Sequence, residues 1–196
     1  MSYVLEDGTG SGNRAKVDER NKLKVAGITE SEAIFATSQG DGYNVNTGYM
    51  TITGDGALAY IKNNDDKIMV IDAIAIGSKT GDAVYSDAPH ITIVRNPTGG
   101  SVITGAVPTD QNQNRNFGSN NTLNGLAYKG GTGSTSTGGN DIATLQLSPG
   151  SRSFFTIDFF LPKGASMAVD LTSNITGGSA DYYLAFVVYF IDPEIF

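Results

Sequence analysis

The sequence predicts an all-β fold, an antiparallel β-sandwich or barrel, and two observations indicate it. From residue 48 onward, short segments that alternate apolar and polar residues are separated by clusters of Gly, Asn, Asp and Pro. No stretch of ten residues in that region keeps the 3.6-residue apolar period of an amphipathic helix. Many short strands with turn residues between them are typical of sandwiches and barrels, and not of α/β folds.

The composition suits one folded domain and excludes several kinds of site. The chain has 196 residues, a formal net charge of −7 and 39% hydrophobic residues, which is too many for a disordered chain. Because it has no cysteine, it has no disulfide framework, thiol catalyst or cysteine-ligated zinc. The acidic balance argues against broad contact with nucleic-acid phosphates. The longest apolar run, residues 182–191, is too short for a membrane-spanning helix, so we expect neither nucleic acid nor a membrane as a partner.

Residues 1–45 are expected to form an extended N-terminal arm. Three glycines between residues 8 and 12 loosen the backbone, and a polar stretch with isolated apolar residues follows. One helical turn is expected within Glu30–Thr37. Such an arm buries little surface by itself, so it is either mobile or laid onto another surface. The arm residues that we assign to partner contacts are Arg14, Lys16, Val17, Leu23 and Val25, and the last two also have the alternation of a short edge strand.

Residues 46–196 are expected to form the β-sandwich body, with about nine strands. The last strand, Tyr182 to Ile191, is apolar on both faces, so we expect it to be central. One of its faces would lie on the core, and the other would be covered by the arm, a loop or a neighbouring subunit. A turn is predicted at 63–66, where short polar side chains bond their own backbone. The other strands are predicted at 49–53, 57–62, 67–76, 91–95, 102–104, 142–147, 153–161 and 167–171.

A long excursion interrupts the body at residues 109–141. Of these residues, 22 are Gly, Ser, Thr or Asn, and few offer apolar contact. A loop of this length within a compact domain is uncommon and is usually functional or disordered. We expect an extended segment pinned by Phe117 and Tyr128, which are the candidate contacts to another chain.

Candidate catalytic residues are few. His90 is the only histidine, and no Gly-x-Ser-x-Gly motif accompanies it, so it is interpreted as a loop histidine. Asp65 and Asp66 are adjacent, so they point apart on a strand and face water on a turn. A glycosidase instead needs two carboxyl groups that face each other across about 5–9.5 Å. We therefore expect no enzyme activity.

One segment partly follows the pattern of a calcium-binding loop. Residues Asp7 to Asp18 have oxygen-bearing side chains at several of the required offsets. The pattern asks for acids at its third and fifth places and a bidentate Glu at its twelfth. This chain has Thr9, Ser11 and Asp18 there. We therefore expect no metal and no cofactor.

Several segments of the chain resemble small virion structural proteins of tailed bacteriophages. The resemblance implies a jelly-roll-like β-sandwich with a place in the particle, as a capsid decoration (cement) subunit or as a tail or fibre component. It implies no catalytic residues. The segments that carry it are Asp7–Asp18, Asn21–Val25, Tyr43–Gly48, Tyr60–Asn64, Arg95–Gly100, Asn116–Ser119 and Leu161–Gly164.

The first functional hypothesis is a non-enzymatic virion component, a decoration protein that docks on the phage head and stabilises it. Its partners would be copies of itself and the major capsid protein. A homotrimer is expected, because three-fold axes are common docking sites on icosahedral shells.

Two alternatives stay open. One is a tail, fibre or baseplate module that binds the host surface. The other is a carbohydrate-binding β-sandwich, which would need exposed aromatic side chains in a groove. The candidates for that role are Tyr43, Tyr49, Tyr85 and Tyr128.

Overall fold

The computed structural model describes residues 31–79, 81–105, 107–109 and 111–193. Neither helix in these ranges is long and apolar enough to span a membrane. The helices are α1 (Glu32–Ser38) and α2 (Ser101–Thr104). The strands are β1 (Gly42–Asn46), β2 (Met50–Ile52), β3 (Gly56–Asn63), β4 (Ile68–Lys79), β5 (Val84–Tyr85), β6 (His90–Arg95), β7 (Val107–Pro108), β8 (Gln111–Asn114), β9 (Gly125–Lys129), β10 (Asn140–Gln146), β11 (Arg152–Leu161), β12 (Ser166–Thr172), β13 (Ile175–Gly177) and β14 (Ala180–Ile191).

Two antiparallel sheets form the body. The front sheet has the strand order β11-β4-β14-β1-β8, with β2 also paired to β14, and the back sheet has the order β10-β6-β12-β3-β9-β7. When the eight strands β1, β3, β4, β6, β10, β11, β12 and β14 are numbered along the chain, the sheets read 1-8-3-6 and 2-7-4-5. This is the strand order of a jelly roll, two interlocked Greek keys. The predicted all-β, jelly-roll-like sandwich is confirmed.

The core lies between the two sheets and follows from the period-2 alternation of their strands. β14 is central in the front sheet, between β4 and β1, as its two-faced apolar sequence predicts. Its residues Tyr182, Leu184, Phe186 and Val188 are fully buried against the back sheet. Each such side chain contributes ~1.5–3 kcal/mol by leaving water. The opposite face of β14 is only partly covered, because residues 183, 185 and 187 keep some exposure.

The arm was predicted to extend to residue 45, and its described part corrects that boundary. Residues 1–30, with the strand expected at Leu23–Val25, lie outside the described residues. Residues 32–46, however, form α1 and β1, and β1 pairs with both β14 and β8. Tyr43 and Val45 point into the core. The body therefore begins at Glu32, and the helical turn expected within Glu30–Thr37 is confirmed as α1.

The strand predicted over 102–104 is wrong, because these residues lie in the short helix α2. Gly100 turns the chain with φ 108°, and its carbonyl accepts both the N–H and the hydroxyl of Thr104 at 3.0 Å. Val102 is buried in an apolar cluster on the outer face of the back sheet, with Tyr60. An apolar run this short carries no period that separates a helical turn from a strand.

The excursion over 109–141 is not one extended segment. Its described part places β8 at the edge of the front sheet and β9 beside β3 in the back sheet. Two asparagines fasten the end of β8 to the segment that follows α1. Nδ2 of Asn114 donates to the carbonyl of Gly40 at 2.6 Å, and Nδ2 of Asn116 donates to the carbonyl of Ser38 at 2.9 Å. The sequence missed β8 because Gln111–Asn114 has no apolar residue with which to show alternation.

Candidate functional site

The outer face of the front sheet, turned away from the core, carries a groove of about 540 Å³. Its floor is apolar and low because β4 and β14 place only small side chains there. Two rows of paired residues cross it, Asn44–Val187–Ala73 and Asn46–Ala185–Ala75. We call it the front-face groove. Its lining residues are Asn44, Asn46, Ala75, Gln113, Asn114, Arg115, Phe117, Ala185 and Val187.

Helix α1 covers the neighbouring part of the same face. Its buried Ala36 packs in one cluster with Val70 of β4 and with Tyr189 and Ile191 of β14. The pKa of Tyr189 is raised mainly by its burial, and the negative charge of Asp72 raises it further. No residue of α1 lines the groove, where Ala75, Ala185 and Val187 keep some exposure.

Arg115 is the one charged residue among the groove's lining residues. It is held at the end of β8, where its backbone N–H donates to the carbonyl of Gly42 at 2.8 Å. The side chain is partly buried, its Nη1 has no hydrogen-bond partner, and no carboxylate in the described part of the chain forms an ion pair with it. Nη1 is itself buried, so a carboxylate from another molecule would gain a charge-assisted hydrogen bond only from the other N–H groups of this guanidinium.

Phe117 stands at the rim of the groove with its side chain fully exposed. It therefore does not hold the excursion against the described body, and its expected contact to another chain stays a prediction. The turn around it is built by Asn116, whose Oδ1 accepts the N–H of Gly118 at 3.0 Å. An aromatic ring in this position offers a large apolar area to a partner.

Tyr128, the other predicted contact residue, lies on the opposite side of the molecule. Its ring stacks on that of Tyr60 with a centroid distance of 6.0 Å and an interplanar angle of 12°. Both rings sit on the outer face of the back sheet, where β9 pairs with β3. Phe117 and Tyr128 therefore do not form one contact surface.

A cluster of aromatic and cationic side chains lies next to the groove on the outer face of the front sheet. The rings of Tyr49 and Tyr183 meet edge to face at 5.3 Å. Lys79 Nζ lies 4.2 Å from the Tyr49 ring centre, and the Arg152 guanidinium lies 5.9 Å from that of Tyr183. Tyr and Arg are enriched in the cores of protein–protein interfaces, so this composition favours contact with another protein.

The candidate sugar-binding tyrosines do not share one groove. Tyr43 is buried at 3% exposure, so it cannot serve as a sugar platform. Its burial, with the charges of Asp41 and Asp65, raises its pKa. Tyr85 lies with its hydroxyl 3.5 Å from that of buried Tyr182, whereas Tyr49 belongs to the aromatic cluster of the front face.

A second, polar pocket of about 370 Å³ opens beside β1 and the turn at 63–66. Lys67 Nζ lies 2.5 Å from Asp41 Oδ2, and this hydrogen bond raises the pKa of the lysine. Asn124 Nδ2 donates to Asp65 Oδ2 at 3.0 Å. Sequence reasoning missed the pocket because its residues come from four separate segments and share no motif.

The other candidate residues stay apart from one another. His90 begins β6 and pairs in register with Gln146 and Thr172, so it lies on a strand rather than in a loop. Asp66 forms an ion pair with Lys163 at 2.6 Å. Within the described ranges no three His, Asp or Glu residues gather as metal ligands.

Two predictions concern the arm. Residues 7–18, considered for calcium, lie outside the described residues, as do the predicted partner contacts. Those contacts are Arg14, Lys16, Val17, Leu23 and Val25.

Comparisons with known proteins give only distant structural likenesses. No protein-family model matches this chain, and no curated protein matches it. Among solved structures, a chain of the "Cyanophage Pam1 capsid asymmetric unit" is similar at 12% sequence identity and a TM-score of 0.28, over 86% of this chain and 94% of that chain. So low a TM-score shows neither a shared fold nor a shared function. The jelly roll is established by the strand order alone.

Proposed function

We propose that this protein is a non-enzymatic structural component of a tailed-phage virion, a decoration protein that docks on the head and stabilises it. The observation that carries the proposal is the front-face groove, which stays open among the described residues, with the exposed ring of Phe117 at its rim. The groove sets small apolar side chains and an exposed aromatic ring beside amides and a guanidinium, a mixed surface of the kind that protein partners contact.

The fold alone does not choose this function, because jelly rolls occur in capsid proteins, lectins and cupins. The chemistry of the face favours a protein partner. Ala75, Ala185 and Val187 allow a partner's backbone to approach closely, and the amides of Asn44 and Asn46 can bond it. Arg115 provides a charge that no described residue neutralises.

The mechanism of such a protein is the burial of surface across subunit boundaries. A standard protein interface takes ~1,600 Å² in total. Many identical contacts on one shell then add through avidity, so a modest affinity at each site suffices. The partner in this contact would be the major capsid protein. The arm residues named above would contact it as well.

Sedimentation with stripped capsids tests the proposal. The purified protein should pellet with the shells, and Phe117→Ala and Arg115→Gln should each leave more protein in the supernatant. Val84→Ala is the matched control, because Val84 is also exposed but lies on β5. Wild-type protein that stays wholly in the supernatant, or equal loss with the control, would count against the docking role.

The polar pocket supports carbohydrate binding as a second candidate. Its carboxylates and amides, from Asp41, Asp65, Asn121 and Asn124, are groups that bond sugar hydroxyls. A glycan array should then give hits that Asn124→Ala removes and Phe117→Ala keeps. An array without hits would end this reading.

A further inference from the structure

A cleft of about 520 Å³ opens between the two sheets, where β11 ends and β12 begins. We call it the inter-sheet cleft. Its lining includes core residues of both sheets: Phe159 and Leu161 come from β11, and Met167 comes from β12. Leu161 and Met167 are only 5% and 1% exposed, so the cleft reaches down to the hydrophobic core. Small-molecule sites have volumes of ~300–1,000 Å³ and mostly apolar walls, so this cleft has the size and lining of such a site.

Arg95 places a positive charge at the entrance of the inter-sheet cleft. It pairs in register with Met167, whose side chain lies in the core, so both project from the inner face of the back sheet. On that face of β6, Ile91 and Ile93 are buried, whereas Arg95 is exposed. Arg95 is the one charged residue in the lining, and no carboxylate in the described part of the chain forms an ion pair with it. An anion at the entrance would therefore gain charge-assisted hydrogen bonds.

Hydrogen bonds hold the rim of the inter-sheet cleft in place. Oδ1 of Asn96 accepts the N–H of Ser166 at 2.9 Å, and the N–H of Asn96 donates to the carbonyl of Ser166, also at 2.9 Å. The carbonyl of Ala165 accepts the N–H of Asn63 at 3.0 Å. The side chain of Asn63 donates to the carbonyl of Leu161 at 2.8 Å. The cleft is therefore preformed, and a ligand does not have to order its walls.

The single charge at the entrance indicates the class of ligand. One guanidinium without a described partner balances a monoanion, and its planar fork fits the two oxygens of a carboxylate. Lys163, which follows the lining residue Pro162, is paired with Asp66 at 2.6 Å, so it does not supply the second cation that a phosphate dianion would need. The apolar walls favour a hydrocarbon chain or ring. Together these features select a carboxylate that carries an apolar chain.

We propose that the inter-sheet cleft binds a small amphipathic carboxylate of the fatty-acid type. Its carboxylate would lie on Arg95, and its chain would lie against Phe159, Leu161 and Met167. Ile142 of β10, which is 44% exposed in the lining, would cover the chain from the side of the back sheet. The cleft lies between the sheets and shares no lining residue with the front-face groove, so the site does not depend on a role in a virion.

Calorimetric titration of the full-length protein with decanoate tests the proposal. Decanoate should bind saturably at one site, below the concentration at which it forms micelles. Decyltrimethylammonium has the same chain with a positive head group, and acetate has the carboxylate without the chain, so neither should bind. Arg95→Gln should weaken decanoate binding by about tenfold or more, because the bond between two charged groups is lost. Arg152→Gln is the control, since Arg152 lies on the outer face against Tyr183, and it should leave the affinity unchanged.

Two further measurements locate the bound chain. Ile142→Ala should weaken decanoate binding, whereas Val84→Ala, which shortens another exposed apolar residue on β5, should not. In NMR spectra of methyl-labelled methionine, the Met167 signal should shift when decanoate is added, and that of Met50, on β2, should stay in place. Absence of saturable binding, equal binding of the cationic analogue, equal effects of a variant and its control, or an unmoved Met167 signal would each overturn the proposal.

Discussion

Asn63 shows how one buried polar residue ties two distant parts of the fold together. Its side chain has no exposure, and all its bonding groups are used. Nδ2 donates to the carbonyls of Lys67 and Leu161, and Oδ1 accepts the N–H of Asp65, each at 2.8 Å. The sequence predicts the turn that begins here, because Asn favours turns. It could not predict the bond to Leu161, which depends on how the chain returns after nearly a hundred residues.

Replacing Asn63 by Ala is expected to lower the free energy of unfolding by about 2–3 kcal/mol, because two carbonyls and one N–H lose their partner. Urea unfolding of both proteins measures the difference. Asn64→Ala is the control, since Asn64 is exposed and, among the described residues, its backbone N–H but not its side chain is bonded, to the carbonyl of Asn124. It should change stability by less than about 0.5 kcal/mol. Equal effects in the two variants would contradict the role given to Asn63.

Asp170 is a carboxylate held partly away from water on the outer face of the back sheet. Its Oδ2 accepts the hydroxyl of Ser136 at 2.7 Å, and its Oδ1 is buried without a partner. Burial raises its pKa, and the charge of Asp141 adds to this, while the bond from Ser136 opposes it. The folded state therefore favours the protonated form, and stability falls as the pH rises through the raised pKa.

Asp170→Asn should therefore make the protein more stable at neutral pH, by on the order of 1 kcal/mol. The advantage should shrink as the pH falls and vanish below the ordinary pKa of 3.8, where the wild-type carboxyl is also neutral in both states. Unfolding curves of both proteins across this range provide the measurement. If the gain in stability did not change with pH, the charge of Asp170 would not be its source. Asp87→Asn, on an exposed turn, is the control and should not raise the stability.

At the scale of elements, the sequence was informative where one face of a strand is buried. Alternation located β3, β6, β11 and β12 to within a few residues, and the two-faced run at the end identified β14 as central. Alternation could not predict β8, because its four residues are all Asn or Gln. It predicted a strand where α2 lies, because a helix of one turn is too short to show its own period. The front-face groove could not be predicted, since it is a space left by small residues on separate strands.

Deletions at the N-terminus test where the body begins. Removal of residues 1–30 should leave a protein that melts cooperatively, because every described strand lies after that point. Removal of residues 1–46 should abolish cooperative melting. It takes away α1 and β1, with Tyr43 and Val45 of the core, and uncovers the edge of β14. Calorimetry of the two truncated proteins distinguishes them, and cooperative melting of the shorter one would restore the boundary at residue 45.

In the whole molecule, strands from the two ends of the body pair with each other at the centre of the front sheet. Gly42 in β1 pairs with Tyr189 in β14, and β14 also pairs along almost its whole length with β4. No half of the chain holds a complete sheet, because each Greek key supplies strands to both. Non-local pairing of this kind makes folding slow, in the range of milliseconds to seconds, and all-or-none.

A chain that ends at Ser179 should therefore have no folded body, although it keeps every other described strand. Without β14, the strands β1 and β4 have no partner between them, and the inward side chains of β3 and β12 lose the surface that covers them. Amide NMR spectra and thermal melts should show an unfolded or loosely collapsed chain. Addition of a separate peptide of residues 180–193 should restore dispersed signals in proportion to the peptide bound, because the missing strand pairs with β1, β2 and β4. A fragment that melts cooperatively without this peptide would show that the two Greek keys fold independently.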